Sequence, residues 1–374
     1  MSLLTRPRDR NWIGCIDFGT ALSKAAVIKR KITSKLTARE ILPLTIGTHD
    51  GIGSLLLPSL VYITEDSILF GKNAGSAAIR GEPYGRLAFT SPKQYLSTQE
   101  PECLDEVLEK EIDPTGTYTP RKLLILFLAH LLVQAKAATE AAGIPWPVPL
   151  RIARPAWDRK RALEGEKTLK GLLLCAFAAV DSLGGKLIGA EGLPHDLAHS
   201  VLSAVIDRGL FNKVDEYRHI FELASGTESA SIPEATAVAA GLIRRTGRRV
   251  IVVADIGAGT SDFGAFMTGL PGHNVVGEIP ESSQILREAG DHLDMLLTIM
   301  ILDQAGIDRH DQAGKGAARR LRTRQRENKE ILFREGSVTV ELNDDVRAIT
   351  LQEFLADRRV QEFSLRLRSK FRST

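Results

Sequence analysis

Two stretches of the chain share one pattern of apolar and polar positions. In each, a strand-like apolar run leads into a short glycine-containing turn with an aspartate, and a second apolar run follows. The first pattern occupies residues 12 to 28 and the second occupies residues 250 to 266. Apolar runs bounded by turn residues are typical of buried strands joined in a hairpin. The sequence therefore predicts two β-hairpins, each with an aspartate near the end of its first strand.

The remaining pattern predicts an α/β protein of two lobes. Residues 1 to 245 form the first lobe, with an inserted subdomain at about residues 38 to 118 and an extra helical insertion at about residues 160 to 230. Residues 246 to 374 form the second lobe. A proline near its start and a glycine at its end frame a leucine-rich helix at residues 119 to 142.

The second lobe is predicted to continue with helices after its hairpin. Helices are expected at about residues 290 to 305 and 317 to 333, followed by a strand at residues 338 to 342 and a last helix that begins at Thr350. The order of elements is therefore hairpin, two helices, strand and helix.

Composition narrows the functional classes. With 374 residues, 43% of them hydrophobic and 25% charged, the chain is large enough for two cores, and a net charge of +3 gives no reason to expect nucleic-acid binding. The longest apolar patches, residues 123 to 133 and 171 to 180, are shorter than a bilayer span, so no membrane segment is predicted. Three widely spaced cysteines without disulfide or metal spacing fit a reducing cytoplasm.

The residues of the two turns suit phosphate. Gly19, Gly257 and Gly259 have no Cβ and can adopt positive φ, so backbone N–H groups beside them can approach phosphate oxygens. Thr20 and Thr260 add hydroxyl donors. Either turn alone could be an ordinary hairpin turn. The two together predict a duplicated phosphate clamp.

The two aspartates suit a metal better than a phosphate. Asp17 and Asp255 would repel phosphate directly, but carboxylates are ligands of hydrated Mg²⁺. The expected ligand is therefore a metal-bound triphosphate held between two tips.

Further phrases, taken in order along the chain, resemble the ATPase superfamily of actin, hexokinase and heat-shock protein 70, and within it the heat-shock protein 70 chaperones. The resembling phrases are Leu-Pro-Ser-Leu-Val at residues 57 to 61, Pro-Lys-Gln-Tyr-Leu at 92 to 96, Ala-Arg-Pro-Ala-Trp at 153 to 157, the small-residue helix at 233 to 241, Ala-Gly-Asp-His-Leu-Asp at 289 to 294, and the arginine-rich helix at 319 to 332. The resemblance covers roughly residues 12 to 365.

This resemblance implies a two-lobed actin-like fold, in which each lobe is a mixed sheet with flanking helices in a ribonuclease H-like duplication. It implies the ATP-binding and ATP-hydrolysing domain of a chaperone, with ATP or ADP and Mg²⁺ as cofactors. Protein clients or co-chaperones are the implied partners and the cytoplasm is the implied location. No peptide-binding domain is expected in this chain. Oligomeric state is left open.

The resemblance also assigns roles to residues. Asp17 and Asp255 would hold Mg²⁺ through water, Lys93 would orient the attacking water, Asp262 would position water or ions, and Thr260 would accept a proton. The residues expected to contact the nucleotide are Gly19, Thr20, Ser23, Gly257, Ala258, Gly259, Thr260, Gly290 and Lys329. Pro155 matches the family's interlobe relay.

Some positions depart from the family pattern. The connecting phrase usually begins Glu-Pro, but here Ile232 precedes Pro233 and Glu234 follows it, so the relay acid is absent or displaced. The last adenosine phrase of the family would follow residue 374, so the chain is expected to be C-terminally incomplete and to bind ATP weakly. Three alternative functions stay open. One is a sugar or metabolite kinase, although no carboxylate is identified as the base for a substrate hydroxyl. The others are an actin-like filament protein and a degenerate scaffold that does not hydrolyse nucleotide.

Overall fold

The protein is a mixed α/β chain, 50% helical and 25% strand. The structure, a computed structural model, describes residues 4, 11–30, 41–49, 52–97, 101–154, 159–222, 231–241, 249–268, 277–279, 281–342 and 345–374. It divides into two compact units, Met1–Ala77 with Ala88–Ala237, and Ala78–Leu87 with Val238–Thr374.

Eight strands precede the first helix, and strands and helices are mixed along the rest of the chain. The strands are β1 (Trp12–Asp17), β2 (Leu22–Lys29), β3 (Ile41–Pro43), β4 (Gly47–His49), β5 (Ile52–Ser54), β6 (Leu57–Pro58), β7 (Leu60–Ile63), β8 (Ser67–Phe70), β9 (Phe89–Thr90), β10 (Leu150–Arg154), β11 (Leu193–Pro194), β12 (Ser231–Pro233), β13 (Arg249–Ile256), β14 (Ser261–Thr268), β15 (Gly277–Glu278), β16 (Gln284–Leu286), β17 (Ser337–Leu342) and β18 (Asp345–Thr350). The α-helices are α1 (Gly71–Gly81), α2 (Gln94–Ser97), α3 (Pro120–Ala141), α4 (Arg159–Leu183), α5 (His195–Asp207), α6 (Glu234–Gly241), α7 (Gly290–Gln304), α8 (Gln312–Glu335), α9 (Leu351–Ala356) and α10 (Arg358–Ser373).

The main sheet of the first unit has the strand order β12-β10-β1-β2-β3, and β6 also pairs with β2. Strands β1, β2 and β3 are antiparallel, whereas β10 runs parallel to β1 and β12 runs parallel to β10. Parallel neighbours need long crossover connections, and α3 precedes β10 while α4 and α5 precede β12. The carboxyl ends of β1, β10 and β12 therefore meet at one edge of the sheet.

Helix α3 begins where the sequence predicts. Pro120 is its first residue, the Thr119 hydroxyl accepts a hydrogen bond from the Lys122 N–H, and Gly143 follows its end with φ of 74°. Almost every side chain from Leu123 to Val133 is buried, and most of α4 from Leu169 to Leu183 joins the same core. The helical segment at residues 160 to 183 thus contributes to the core of the first unit.

Two helical segments are longer than their apolar patches suggest. Pro120–Ala141 and Leu163–Ile188 are long and apolar enough to cross a membrane by length and composition alone. The expectation that these stretches are too short to span a bilayer is therefore wrong. However, 72% and 67% of their apolar windows are buried inside the protein, which is also true of core helices in globular proteins.

The second unit is built on the β13–β14 hairpin. Strand β14 also pairs with β15 and β16, and α10 packs against β14 and β16. Within the described residues β13 pairs only with β14, and Val250, Val252 and Ile256 on one of its faces are 49% to 60% exposed. Helices α7 and α8, the β17–β18 hairpin and α9 surround a second core.

Most of the predicted elements are confirmed, with small shifts at their ends. Both hairpins form, α7 and α8 cover the predicted helices, and Thr350 caps α9 in a reciprocal pair of bonds with Glu353. The small β4–β5 hairpin was missed, because its strands are only three residues long.

Candidate functional site

The first predicted tip joins β1 to β2. Asp17 is the last residue of β1 and lies opposite Lys24, whose Nζ is 3.9 Å from the Asp17 Oδ2. The Asp17 side chain is 36% exposed and that of Lys24 is 58% exposed, so water screens this ion pair strongly. Asp17 is therefore accessible to a ligand at the edge of the sheet.

The glycine of this tip is required by its backbone neighbours. A Cβ on Gly19 would lie 1.9 Å from the carbonyl oxygen of Leu22. This distance is too short for any residue with a side chain. Gly19 is not among the glycines with positive φ, and neither are Gly257 and Gly259. At Gly19 the reason for glycine is therefore the close approach of the chain to itself and not a positive φ.

Ser23 lies beneath the first tip. It is fully buried, its Oγ accepts a hydrogen bond of 3.3 Å from the Gly19 N–H, and it is 2.9 Å from the Oγ of buried Ser59. The N–H of Gly19 is therefore used inside the protein, and Ser23 fixes the shape of the tip. Thr20 lies at the tip itself and is half-buried.

Three strands bring further groups to the edge that holds Asp17. Asp17 is in register with Ala153 on β10, and Arg154 is in register with Pro233 on β12. Glu234 follows Pro233 directly and begins α6. Since neighbouring strands lie about 4.8 Å apart, β12 is about 10 Å from β1.

Lys93 is brought to the same edge by an ion pair with Glu234. Lys93 is 4% exposed and its Nζ donates to the Glu234 Oε1, although 140 residues separate the two in the chain. The buried position excludes an ordinary surface lysine. Sequence reasoning missed Glu234 as the partner, although the signal was present as an acidic residue directly after Pro233, at the start of a helix.

The second predicted tip places two carboxylates opposite each other. Asp255 on β13 is in register with Asp262 on β14, and residues directly opposite in an antiparallel pair share one face of the sheet. Asp262 is 3% exposed and its Oδ2 accepts a hydrogen bond of 3.1 Å from the Thr260 hydroxyl. Like charges directly opposite destabilise a sheet, so a cation bound beside Asp255 would relieve repulsion.

The backbone of this tip is oriented by α7. The carbonyl oxygens of Gly257 and Ala258 accept hydrogen bonds of 3.1 Å and 2.7 Å from the N–H groups of Gly290 and Asp291. The Gly257 N–H donates to the Thr260 carbonyl.

The N–H groups at the end of the tip are in a different situation. In the part of the chain that the structure covers, the N–H groups of Ala258, Gly259 and Thr260 have no acceptor. Successive N–H groups in a turn can bind an anion when they converge on one point. The second tip therefore offers three backbone donors that no acceptor among the described residues uses.

Lys329 connects α8 to the start of α7. Its Nζ lies 2.8 Å from the Asp294 Oδ1 and donates a bond of 2.8 Å to the Gly290 carbonyl. A Cβ on Gly290 would lie 3.1 Å from this Nζ and 3.3 Å from the Gly257 carbonyl oxygen, so the junction is closely packed. The role observed for Lys329 is to hold the helix that supports the second tip.

The carboxyl group that binds Lys329 is almost completely enclosed. Asp294 is 1% exposed, and burial raises its pKa above the ordinary value while Lys329 and Arg326 lower it. Arg326 in turn donates to Asp291, at 3.1 Å. This part of α8 is thus occupied by ion pairs with α7.

Metal binding at these tips would depend on water or phosphate oxygens. Among the residues described, no group of three or more His, Cys, Asp or Glu side chains could hold a metal ion. A single carboxylate such as Asp17 or Asp255 would bind Mg²⁺ only together with several water or phosphate oxygens.

The predicted residues fall into two groups. Asp17, Gly19, Thr20, Ser23 and Lys93 belong to the first unit. The others belong to the second unit and are Asp255, Gly257, Ala258, Gly259, Thr260, Asp262, Gly290 and Lys329. Pro155 lies outside the described residues. A scan against models of protein families and a search of curated proteins find no match for this chain.

Proposed function

We propose that the chain is an ATP-binding and ATP-hydrolysing module of the two-lobed, actin-like class, related to the heat-shock protein 70 chaperones. The observation that supports this most is the repeated hairpin. Each unit has an aspartate near the end of the first strand of a hairpin, beside a tight tip. The N–H groups of Ala258, Gly259 and Thr260 supply anion donors at the second tip.

The sheet of the first unit also supports this proposal. It has three antiparallel strands followed by two parallel ones, which fits the mixed sheet expected of each lobe in this class. The carboxylate of Asp17 and the ammonium of Lys93 reach one edge of that sheet, where ligands of α/β sheets commonly bind.

The proposed chemistry assigns a task to each charged group. Asp17 and Asp255 would hold Mg²⁺ through water, and bound Mg²⁺ would neutralise part of the phosphate charge. Lys93 would orient the attacking water and stabilise negative charge that develops on the terminal phosphate. Asp262, with the Thr260 hydroxyl bound to it, would position water or ions, and Thr260 would accept a proton.

A direct test measures binding and turnover separately. Calorimetric titration with Mg²⁺ and ATP gives binding, and a colorimetric assay of released phosphate gives turnover. We expect weak binding and slow turnover. We further expect Lys93→Ala to abolish phosphate release with ATP binding nearly unchanged, whereas equal turnover would remove Lys93 from the mechanism.

Lys170→Ala is the matched control for this test. Lys170 is also largely buried and is ion-paired with Glu166 at 2.6 Å, but it lies on α4 within the first unit's core. Loss of turnover in both variants would indicate general damage to the fold.

A second candidate function is a nucleotide-binding scaffold that does not hydrolyse. The enclosure of Lys93 by Glu234 favours it, because a lysine held in an ion pair is not free to contact phosphate. Binding of ATP without measurable phosphate release would select this alternative.

The proposal also includes protein clients or co-chaperones as partners and the cytoplasm as the location. Pull-down experiments with and without ATP would test for the partners.

A further inference from the structure

Lys93 and Glu234 form an ion pair that is largely removed from water. The Lys93 side chain is 5% exposed and the Glu234 side chain is 18% exposed. Two charges taken out of water compensate each other only while they stay in contact. The ammonium group of Lys93 therefore has a strong reason to keep an anion beside it.

Glu234 has other favourable surroundings. It is the first residue of α6, an eight-residue helix, and negative charge is favoured at a helix N-terminus. Its partial exposure also gives its carboxylate access to water. Glu234 can therefore lose Lys93 at a lower cost than Lys93 can lose Glu234.

This asymmetry suggests a competition between two anions. A phosphate placed at the edge of the sheet beside Asp17 would bring new oxygens towards Lys93, and β12, which leads into Glu234, is only two strands from β1. The ammonium could exchange one anion for the other without becoming uncompensated.

We propose that Glu234 is a positioning residue that holds Lys93 in an inhibited state and competes for it with the terminal phosphate of a nucleoside triphosphate. The inference rests on the proposed function and adds its regulation. The ion pair lowers the fraction of molecules in which Lys93 can bind phosphate, and the apparent affinity for the triphosphate falls in proportion to that fraction.

The variant Glu234→Gln removes the competing charge and keeps the shape of the side chain. If Lys93 is released from Glu234 in about one wild-type molecule in ten, the variant binds ATP with Mg²⁺ about tenfold more tightly. Lys93 also reacts faster with an amine-acylating reagent, measured by mass spectrometry of its peptide. The acylation measurement does not depend on any nucleotide.

Glu222→Gln is the control. Glu222 is 19% exposed and ion-paired with Arg30, so its environment is similar. Its backbone N–H binds the Leu150 carbonyl at the opposite end of β10, away from the edge that holds Asp17. This variant should change neither ATP affinity nor Lys93 acylation. If Glu234→Gln does not fold, Glu234→Asp keeps the charge with a shorter reach and should give a smaller change in the same direction.

The outcomes separate the two proposals. Faster acylation of Lys93 together with tighter ATP binding in Glu234→Gln supports the inhibited state. If wild type and Glu234→Gln bind ATP equally tightly, the competition is refuted and the proposed function is unaffected. Faster acylation of Lys93 together with weaker ATP binding would also refute the competition, because it would mean that the ion pair has only a structural role. Absence of ATP binding in both proteins would overturn both proposals, whereas binding gained only in the variant would support both.

Discussion

The ion pair between Lys93 and Glu234 allows a double-mutant cycle with unequal single variants. Glu234→Gln leaves the ammonium of Lys93, which is 5% exposed, without this counter-charge, so we expect a loss of about 3–5 kcal/mol in the free energy of unfolding. Lys93→Met leaves a carboxylate that is 18% exposed and lies at a helix N-terminus. That carboxylate retains water and the helix dipole, and the expected loss is about 1–3 kcal/mol.

The double variant should lose less than the sum of the two singles. With both charges removed, no buried ion lacks its partner, and we expect a coupling energy of about 2 kcal/mol. The sequence has three tryptophans, at residues 12, 146 and 157, all within the range of the first unit. Urea unfolding followed by tryptophan fluorescence therefore reports on the unit that contains the pair.

Two results would refute this reasoning. If the double variant equals the sum of the singles within about 0.5 kcal/mol, the two charges are not coupled. If Lys93→Met costs more than Glu234→Gln, the difference in exposure does not decide the energy. The slope of unfolding free energy against urea should stay unchanged, since a changed slope would mean that the compactness of one state has changed.

Three further predictions concern individual positions. Gly19→Ala places a Cβ 1.9 Å from a backbone oxygen and should lower the free energy of unfolding by about 3 kcal/mol or more. The control Gly185→Ala places its Cβ where no atom lies within 4 Å, and it should change this free energy by no more than about 1 kcal/mol. Equal urea midpoints for the two variants would contradict this prediction. Burial lowers the pKa of His130 from 6.5 to about 4, so the unfolded state binds this proton more tightly than the folded state. The free energy of unfolding should therefore fall by about 3 kcal/mol as pH drops from about 6.5 to about 4. Urea titrations at several pH values should show a flatter dependence for His130→Phe. Lys329→Met removes a charge that lowers the pKa of buried Asp294, so the folded variant holds the Asp294 proton more tightly than the folded wild type. Relative to wild type, the variant should therefore be less stable at pH 7.5 than at pH 5. Thermal melts that show the reverse order would exclude this role for Lys329.

Several local features could be predicted from the sequence because their causes are local. Pro120 at the start and Gly143 after the end of α3 set its limits through backbone geometry. Thr350 and Glu353 form a reciprocal cap within four residues. The alternation of apolar runs and turn residues likewise predicted both hairpins at the correct positions.

Other features of the site could not be predicted because distant parts of the chain create them. Ser23 has the residue type expected of a phosphate ligand, yet packing places it beneath the tip against Ser59. Lys329 has the charge expected at a nucleotide cleft, yet its neighbours are Asp294 and the carbonyl of Gly290. A residue's type does not reveal which neighbour uses it.

Strand pattern and turn chemistry act over a few residues, so the two hairpins and the groups at their tips can be predicted from local sequence. The packing of the folded chain sets which of those groups face solvent and which form hydrogen bonds inside the protein. Lys93 meets Glu234 only because β10 and β12 run parallel to β1 and deliver their ends to one edge. The state of this lysine depends on burial and on a distant carboxylate, and both come from the packing of the whole unit.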